Sequence, residues 1–497
     1  MRRATAALGP GQLWQALTTL LCLALALPVG AGGDKLPAKT LTSEQFHQGI
    51  QLLWDKIQQR HPDPYRMFSK AQFEVEVERM VGRSGDVTEA QAFVETSRLI
   101  GMLCDGHSWV SIDDDSMLFS RAIPVRFWAF SDGLHVRAAA PSHAELLGAT
   151  VLAIHGVPIE RAWEQIRDAA GGGGRLATVR AQVYAAIPEF LHAIGLADND
   201  QEIVLELRLA DGTQVRRTLR ATSYENFSEV WNTSHRWAMP AGWVGPAGAL
   251  RAGWYANRDK VFWSETLDGG KTLYLAFNQA STDPDNPWDP KVDQYRPFVK
   301  EAFARAREEG VERVIIDLRN NNGGNSALWQ PLVHQIIRTE KLYLPGHLFV
   351  VIGRLTESAA VAWAARIEMN APALFVGEPT VNPPNFANDP AGWRREAYHL
   401  PGSAVNFRVA NTMEHWSDDG DKRRAIYPDI PVAMSWTDFA SSRDPSLRAI
   451  AEFRAADADA LFLDDEGESL VAYPWANYQR KTQGRAMRED VALPPAR

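Results

Sequence analysis

Val314-Ile315-Ile316-Asp317-Leu318-Arg319-Asn320-Asn321-Asn322-Gly323-Gly324 runs from an apolar segment straight into a polar loop closed by two glycines. A short, largely apolar run suits a strand covered on both faces, as in a parallel sheet flanked by helices. The flanking sequence supports that reading. Upstream, Val299, Ala302, Phe303 and Ala306 form a stripe in a helix predicted from about Arg296 to Glu309, with Pro297 in its first turn and Gly310 at its end. Before it lies a candidate strand from Thr272 to Phe277. After it come a further helix, a strand Leu348 to Ile352, a helix Ala359 to Met369 and a strand Ala373 to Val376. Strands alternating with helices predict an α/β region with a largely parallel sheet, whose functional groups sit on loops leaving the strands' carboxyl ends.

The rest of the chain has other periods. From Leu41 to about Leu103 the pattern is helical: Thr42 caps a segment carrying Phe46, Ile50, Leu53 and Ile57, and two more segments carry Phe73, Val77 and Met80, then Phe93, Ile100 and Leu103. From Ala122 to about Thr222 the period approaches two. Asp132-Gly133 and Asp211-Gly212 are hairpin turns there, and Ala149 to Ile154 is another strand. The run Gly171 to Gly174 lacks a following Gly-Lys-Ser/Thr, so it reads as a flexible connection and not as a phosphate loop.

Composition narrows the class. The 497 residues include 52 Lys+Arg against 61 Asp+Glu, a formal charge of −9 that argues against nucleic acid as a partner. With 45% hydrophobic and 23% charged residues the chain is an ordinary globular one. Arg2 and Arg3, the apolar run Ala16 to Leu27 and the small residues around Ala31 have the three-part form of a secretory signal peptide over 1–31. The expected location is therefore periplasmic or secreted, with no stable membrane span after cleavage. Of the 2 cysteines, Cys22 would leave with the signal and Cys104 would remain. No His/Cys cluster has metal-ligand spacing, and no metal or cofactor is expected.

Two loops of the α/β region invite chemistry. In the first, Gly323 and Gly324 let backbone N–H groups face a cleft, as an oxyanion site requires; a plain glycine turn explains them equally well. In the second, Thr356-Glu357-Ser358-Ala359-Ala360 leads from strand into helix. Ser358 there is placed as a nucleophile at a helix N-terminus, or simply as an N-cap. A third point is His107 in Asp105-Gly106-His107-Ser108, held in a tight turn where it could serve as an oriented base.

In order along the chain, Leu103-Cys104-Asp105-Gly106-His107-Ser108, Ile315 to Gly324, Thr356 to Ala360, Val376-Gly377-Glu378-Pro379-Thr380 and Tyr427-Pro428-Asp429-Ile430 resemble the S41 serine peptidases, the family of the carboxy-terminal processing proteases and the tricorn core protease. The patterning gives an N-terminal helical region (32–118) and a charged tail (454–497), and the resemblance implies a PDZ-like β-rich domain (119–222) and an S41-type catalytic domain (223–453) between them. It further implies that Ser358 is the nucleophile, with an oxyanion hole from the amide of Ala359 and that of Gly323 or Gly324. Processing proteases carry a Lys base after the Gly-Glu-Pro-Thr block; Val381-Asn382-Pro383-Pro384-Asn385 holds none. The lysine-free branch uses a His and an acid, here His107 and Asp421, with Glu414 as the alternative acid. The expected activity is hydrolysis of peptide or protein substrates. The rival is a non-catalytic binding protein on the same fold.

Overall fold

The computed structural model describes residues 37–172, 174–232, 237–248, 253–287, 289–390 and 397–454. The expected signal peptide and all but the first residue of the expected tail lie outside them.

Three helices lie early in the described residues: α1 (Ser43–Arg60), α2 (Lys70–Val81) and α3 (Glu89–Gly101). Each starts with a capping box, from Thr42 with Gln45, Ser69 with Gln72 and Thr88 with Gln91. These reciprocal bonds satisfy N–H groups that a helix start leaves without partners. α1 buries Phe46, Ile50, Leu53 and Ile57, the stripe read from its periodicity, against Phe73 and Met80 of α2. α3 ends at Gly101, short of Leu103. A Cβ at Gly101 would stand 2.4 Å from the Cα of Gly171, so the glycine run read as a flexible connection contributes a close approach between two backbones.

Strand β1 (Trp109–Ile112) follows, then β2 (Val125–Phe130), β3 (Gly133–Ala139) and β4 (Thr150–Ile154). Helices α4 (Ile159–Ala169) and α5 (Leu176–Tyr184) precede β5 (Glu202–Arg208) and β6 (Gln214–Arg220). The strands make one antiparallel sheet in the order β6-β5-β4-β3-β2, with both expected hairpins in place. Reading only a period of two missed the helices, although Ile159, Ala162, Trp163 and Ile166 of α4 have helical spacing and are buried.

The second sheet holds β7 (Phe262–Leu267), β8 (Thr272–Phe277), β9 (Arg313–Asp317), β10 (Leu348–Ile352), β11 (Leu374–Gly377) and, further along the chain, the short strand Ile430–Pro431. Only β7 runs antiparallel to its neighbour. Helices α6 (Tyr295–Ala306), α7 (Trp329–Ile337) and α8 (Ala359–Asn370) provide the connections. Val314 and Ile316 face one core while Ile315 faces another, so the sheet is covered on both sides. This is the largely parallel α/β sheet that the strand–helix alternation predicts.

One connection decides where the two halves meet. Between β11 and Ile430–Pro431 lie β12 (Asn385–Asn388), β13 (Val405–Arg408) and β14 (Thr412–His415). β12 pairs with β14, but β13 crosses to the N-terminal region and pairs with β1, joining Val405 to Ile112 and Arg408 to Trp109. Leu400, Val405, Phe407 and Val409 are buried in the same core as α1 to α3. A segment of the expected catalytic region is thus part of the N-terminal unit, and the strand that begins just after His107 is anchored by it.

Candidate active site

β9 and β10 end side by side, and the loops leaving them form the floor of the site. The β9 loop is tied down at its start by Arg319, whose Nε donates to Asp317 at 2.7 Å and whose Nη2 pairs with Asp444 at 2.8 Å. Asn321, fully buried, accepts from the N–H of Gly323 with its side chain and from that of Glu357 with its carbonyl. Thr356 completes the link: its hydroxyl donates to the Leu318 carbonyl at 2.8 Å and accepts from the Gly353 N–H at 3.0 Å. The polar residues of both motifs therefore fasten one loop to the other.

Ser358 sits at the junction of loop and α8 with φ 55° and ψ −123°. For a residue with a Cβ this backbone costs about 1–3 kcal/mol and persists only where its surroundings enforce it. Its side chain makes no capping bond, which decides against the N-cap reading. Such a strained strand-to-helix turn lifts a serine hydroxyl clear of the backbone.

His107 arrives from the other half of the molecule. Its Nε2 lies 2.9 Å from the Ser358 hydroxyl, across 251 residues of sequence. The ring stacks on Phe386 of β12, with centroids 5.0 Å apart. Its Nδ1 stands 3.2 Å from the main-chain carbonyl of Asp105. A carbonyl can only accept, so Nδ1 carries the proton and Nε2 presents its lone pair to Ser358.

The acids expected at His107 are elsewhere. Asp421 is buried beside Arg423, which donates to it at 2.8 Å and also holds Glu368 at 2.8 Å. Burial pushes the Asp421 carboxyl up, but Arg423 outweighs that and holds it below its usual range. Glu414 accepts from Asn388 at 2.6 Å and from the Trp416 indole at 2.8 Å. Neither bonds His107, and among the described residues no carboxylate is hydrogen-bonded to either ring nitrogen. For Asp421 the reason is charge pairing: a carboxylate next to a buried guanidinium is held there more strongly than by a neutral imidazole.

The carboxylate that shapes the histidine turn is Asp105. It is buried and accepts from the N–H of His107 at 2.7 Å, the N–H and hydroxyl of Ser108 at 2.6 Å, and His61 at 3.0 Å. The Nδ1 of His61 accepts from the Asp63 N–H at 3.2 Å, so its Nε2 carries the proton toward Asp105. Burial raises the Asp105 carboxyl, yet the bonds from His61 and Ser108 outweigh it and leave it below its usual range.

Asn382 belongs to the segment that lacks a lysine. Its side-chain oxygen accepts from the N–H of Ser358 at 2.8 Å, and its amide donates to the Asp105 carbonyl at 2.8 Å. One buried amide thus spans both loops. Gly106, with φ 76°, must lack a side chain, since a Cβ there would fall 2.0 Å from the Asn382 amide nitrogen.

Gly323 is equally constrained: its φ is 105° and an added Cβ would lie 2.6 Å from the Ser358 Cβ. Its own N–H is taken by Asn321. The N–H groups of Gly324 and Ala359 have no acceptor among the described residues. Gly324, Ser358 and His107 line one cavity of about 580 Å³, walled by Trp109, Tyr184, Phe227 and Trp231. Among the described residues no group of three or more His, Cys, Asp or Glu side chains could hold a metal ion, and no helix is long and apolar enough to cross a membrane.

No protein-family model matches the sequence, and no curated protein sequence does. Solved structures do. Mature CPAF superposes with a TM-score of 0.52 at 13% identity, over 82% of this chain and 96% of that one. Mature CPAF complexed with lactacystin gives 0.54 at 12% identity, over 82% and 97%. At such identity the likeness is one of fold.

Proposed function

We propose that this chain, which has the S41-type peptidase fold, is a serine endopeptidase that hydrolyses peptide bonds of peptide or protein substrates. The observation that carries the reading is the 2.9 Å approach of His107 Nε2 to a Ser358 hydroxyl displayed on a strained turn. A purely binding site has no use for a bare imidazole nitrogen aimed at a serine.

In this mechanism Ser358 attacks the scissile carbonyl while His107 takes the hydroxyl proton and returns it to the leaving amine. The Asp105 carbonyl does part of what an acid does in a triad, holding the tautomer that leaves Nε2 bare. It carries no full charge, so the nearby Asp105 carboxylate is left to favour the imidazolium through space. The amides of Ala359 and Gly324 stabilise the oxyanion, and water then releases the acyl group. Of the two glycines offered by the sequence, Gly324 fits because the N–H of Gly323 is occupied.

The leader over 1–31 makes the protein an exported one, periplasmic or secreted. The sheet of β2 to β6 with α4 and α5 takes the place of the PDZ-like domain, holding substrate beside the cleft.

Labelling with a fluorophosphonate tests the proposal. The wild type should label and the Ser358→Ala and His107→Ala variants should not. Equal labelling of all three would overturn the Ser–His assignment. A folded wild type that fails to label would favour the binding-protein reading.

A further inference from the structure

α5 turns Leu176, Val179, Arg180 and Tyr184 toward the cavity that holds His107 and Ser358. Positions so spaced share one face of a helix. Leu176, Val179 and Tyr184 behave as a core-facing stripe should, and Arg180 breaks it. The other charges of the wall are engaged: Arg354 holds Glu378 and donates to the Ala129 carbonyl at 2.7 Å, and Glu357 has partners of its own. Arg180 has neither hydrogen bond nor ion pair among the described residues. Arg180 is half-buried and borders two spaces, the cavity of His107 and Ser358 and, on the side of Nη1, the small pocket at Gly171, where an added Cβ would lie 3.5 Å from Nη1.

A partly desolvated arginine at the wall of a cleft can offer a planar pair of donors matched to a carboxylate. The chain's negative total charge does not cancel it, because screening confines charge effects to about 8 Å in physiological salt. The course of a bound peptide is set by β1. Among the described residues that strand pairs on one side only, with β13, and the bond from the Asp113 N–H to the Ala404 carbonyl sets the phase of the ladder. The N–H and C=O groups of Val110 and Ile112 therefore point away from β13, on the open edge, and both residues line the cavity. An extended peptide pairing there would run past His107 with Arg180 in the same cavity.

We propose that Arg180 is a specificity-determining residue that binds a carboxylate of the peptide substrate, so that acidic peptides are preferred. This rests on the serine-peptidase reading above.

The test uses the full chain and fluorogenic peptides that differ at one scanned position, Asp against Asn and Glu against Gln, each with a free or an amidated C-terminus. The wild type should favour a carboxylate by about tenfold or more in kcat/KM, the usual scale of a charge-assisted bond. A preference for Asp over Asn identifies a side-chain carboxylate; a preference for the free over the amidated end identifies the terminal one. Arg180→Gln should collapse that ratio toward one, Arg180→Lys should keep part of it, and Arg180→Glu should turn it toward Lys-containing peptides. A wild type that labels with fluorophosphonate yet cleaves acid and amide peptides alike overturns the Arg180 proposal alone. So does an Arg180→Gln variant that retains the full ratio. A wild type that neither labels nor cleaves removes the peptidase reading and this inference together.

Discussion

The side-chain oxygen of Asn382 accepts from the backbone N–H of Ser358 at 2.8 Å, while the same amide donates to the Asp105 carbonyl at 2.8 Å. That carbonyl in turn faces Nδ1 of His107. Asn382 therefore sets the spacing between the proposed nucleophile and the proposed base without touching either reacting atom.

Asn382→Ala should strand the Ser358 N–H, at about 1–3 kcal/mol, and leave the Asp105 carbonyl with His107 alone. We expect kcat for a peptide substrate to fall about 10- to 100-fold, as displacement of a reacting group by an ångström does. Asn382→Asp keeps the acceptor for Ser358 but loses the donor to Asp105. It should recover the Ser358 turn and not the His107 orientation, so its kcat should remain low. Steady-state kinetics beside circular dichroism would check both; an Asn382→Ala variant of wild-type kcat would remove this role.

The turn at Ser358 should store strain that glycine releases. At φ 55° and ψ −123° a residue with a Cβ is disfavoured and glycine is not. Ser358→Gly and Ser358→Ala should both be inactive, yet the glycine variant should be more stable, by about 1 kcal/mol. Urea denaturation of the pair measures the difference, and equal midpoints would show that the turn is unstrained.

Asp421 should matter for stability and not for the tautomer of His107. Asp421→Asn removes one of the carboxylates that hold Arg423, and weakening a buried charged cluster costs up to about 3–5 kcal/mol. The folded carboxyl lies below its ordinary value, so its contribution is present above about pH 4 and disappears as pH falls through the lower folded value. Thermal unfolding should show wild type and variant well separated at pH 7 and converging below pH 4. The folded fraction of the variant, counted by active-site titration, should keep kcat within a few-fold of wild type. A loss of several orders would return the acid's role to Asp421.

Much of the fold was legible because it is local. Thr272–Phe277 and Leu348–Ile352 stand where their apolar runs placed them, and α8 begins at Ala359 as expected. The stripe of α1 is buried residue for residue. α4 and α5 are less legible because hairpin signals on either side point toward strands, and α5 has no clear polar face.

The site divides along the same line. Short-range chemistry in the sequence determined that a serine stands at a strand–helix junction, that paired glycines follow β9, and that a histidine occupies a tight turn. Such features depend on neighbours a few residues away, and a single chain displays them directly. Which of them meet depends on contacts between distant segments. β13 draws β1 toward the parallel sheet, Asn382 joins the turn of Asp105 to that of Ser358, and His107 thereby reaches a hydroxyl 251 residues off. Tertiary structure alone also decided the partner of His107. Arg423 claims the acid that the family resemblance nominated, and a main-chain carbonyl, which no side-chain motif can announce, lies at Nδ1 instead.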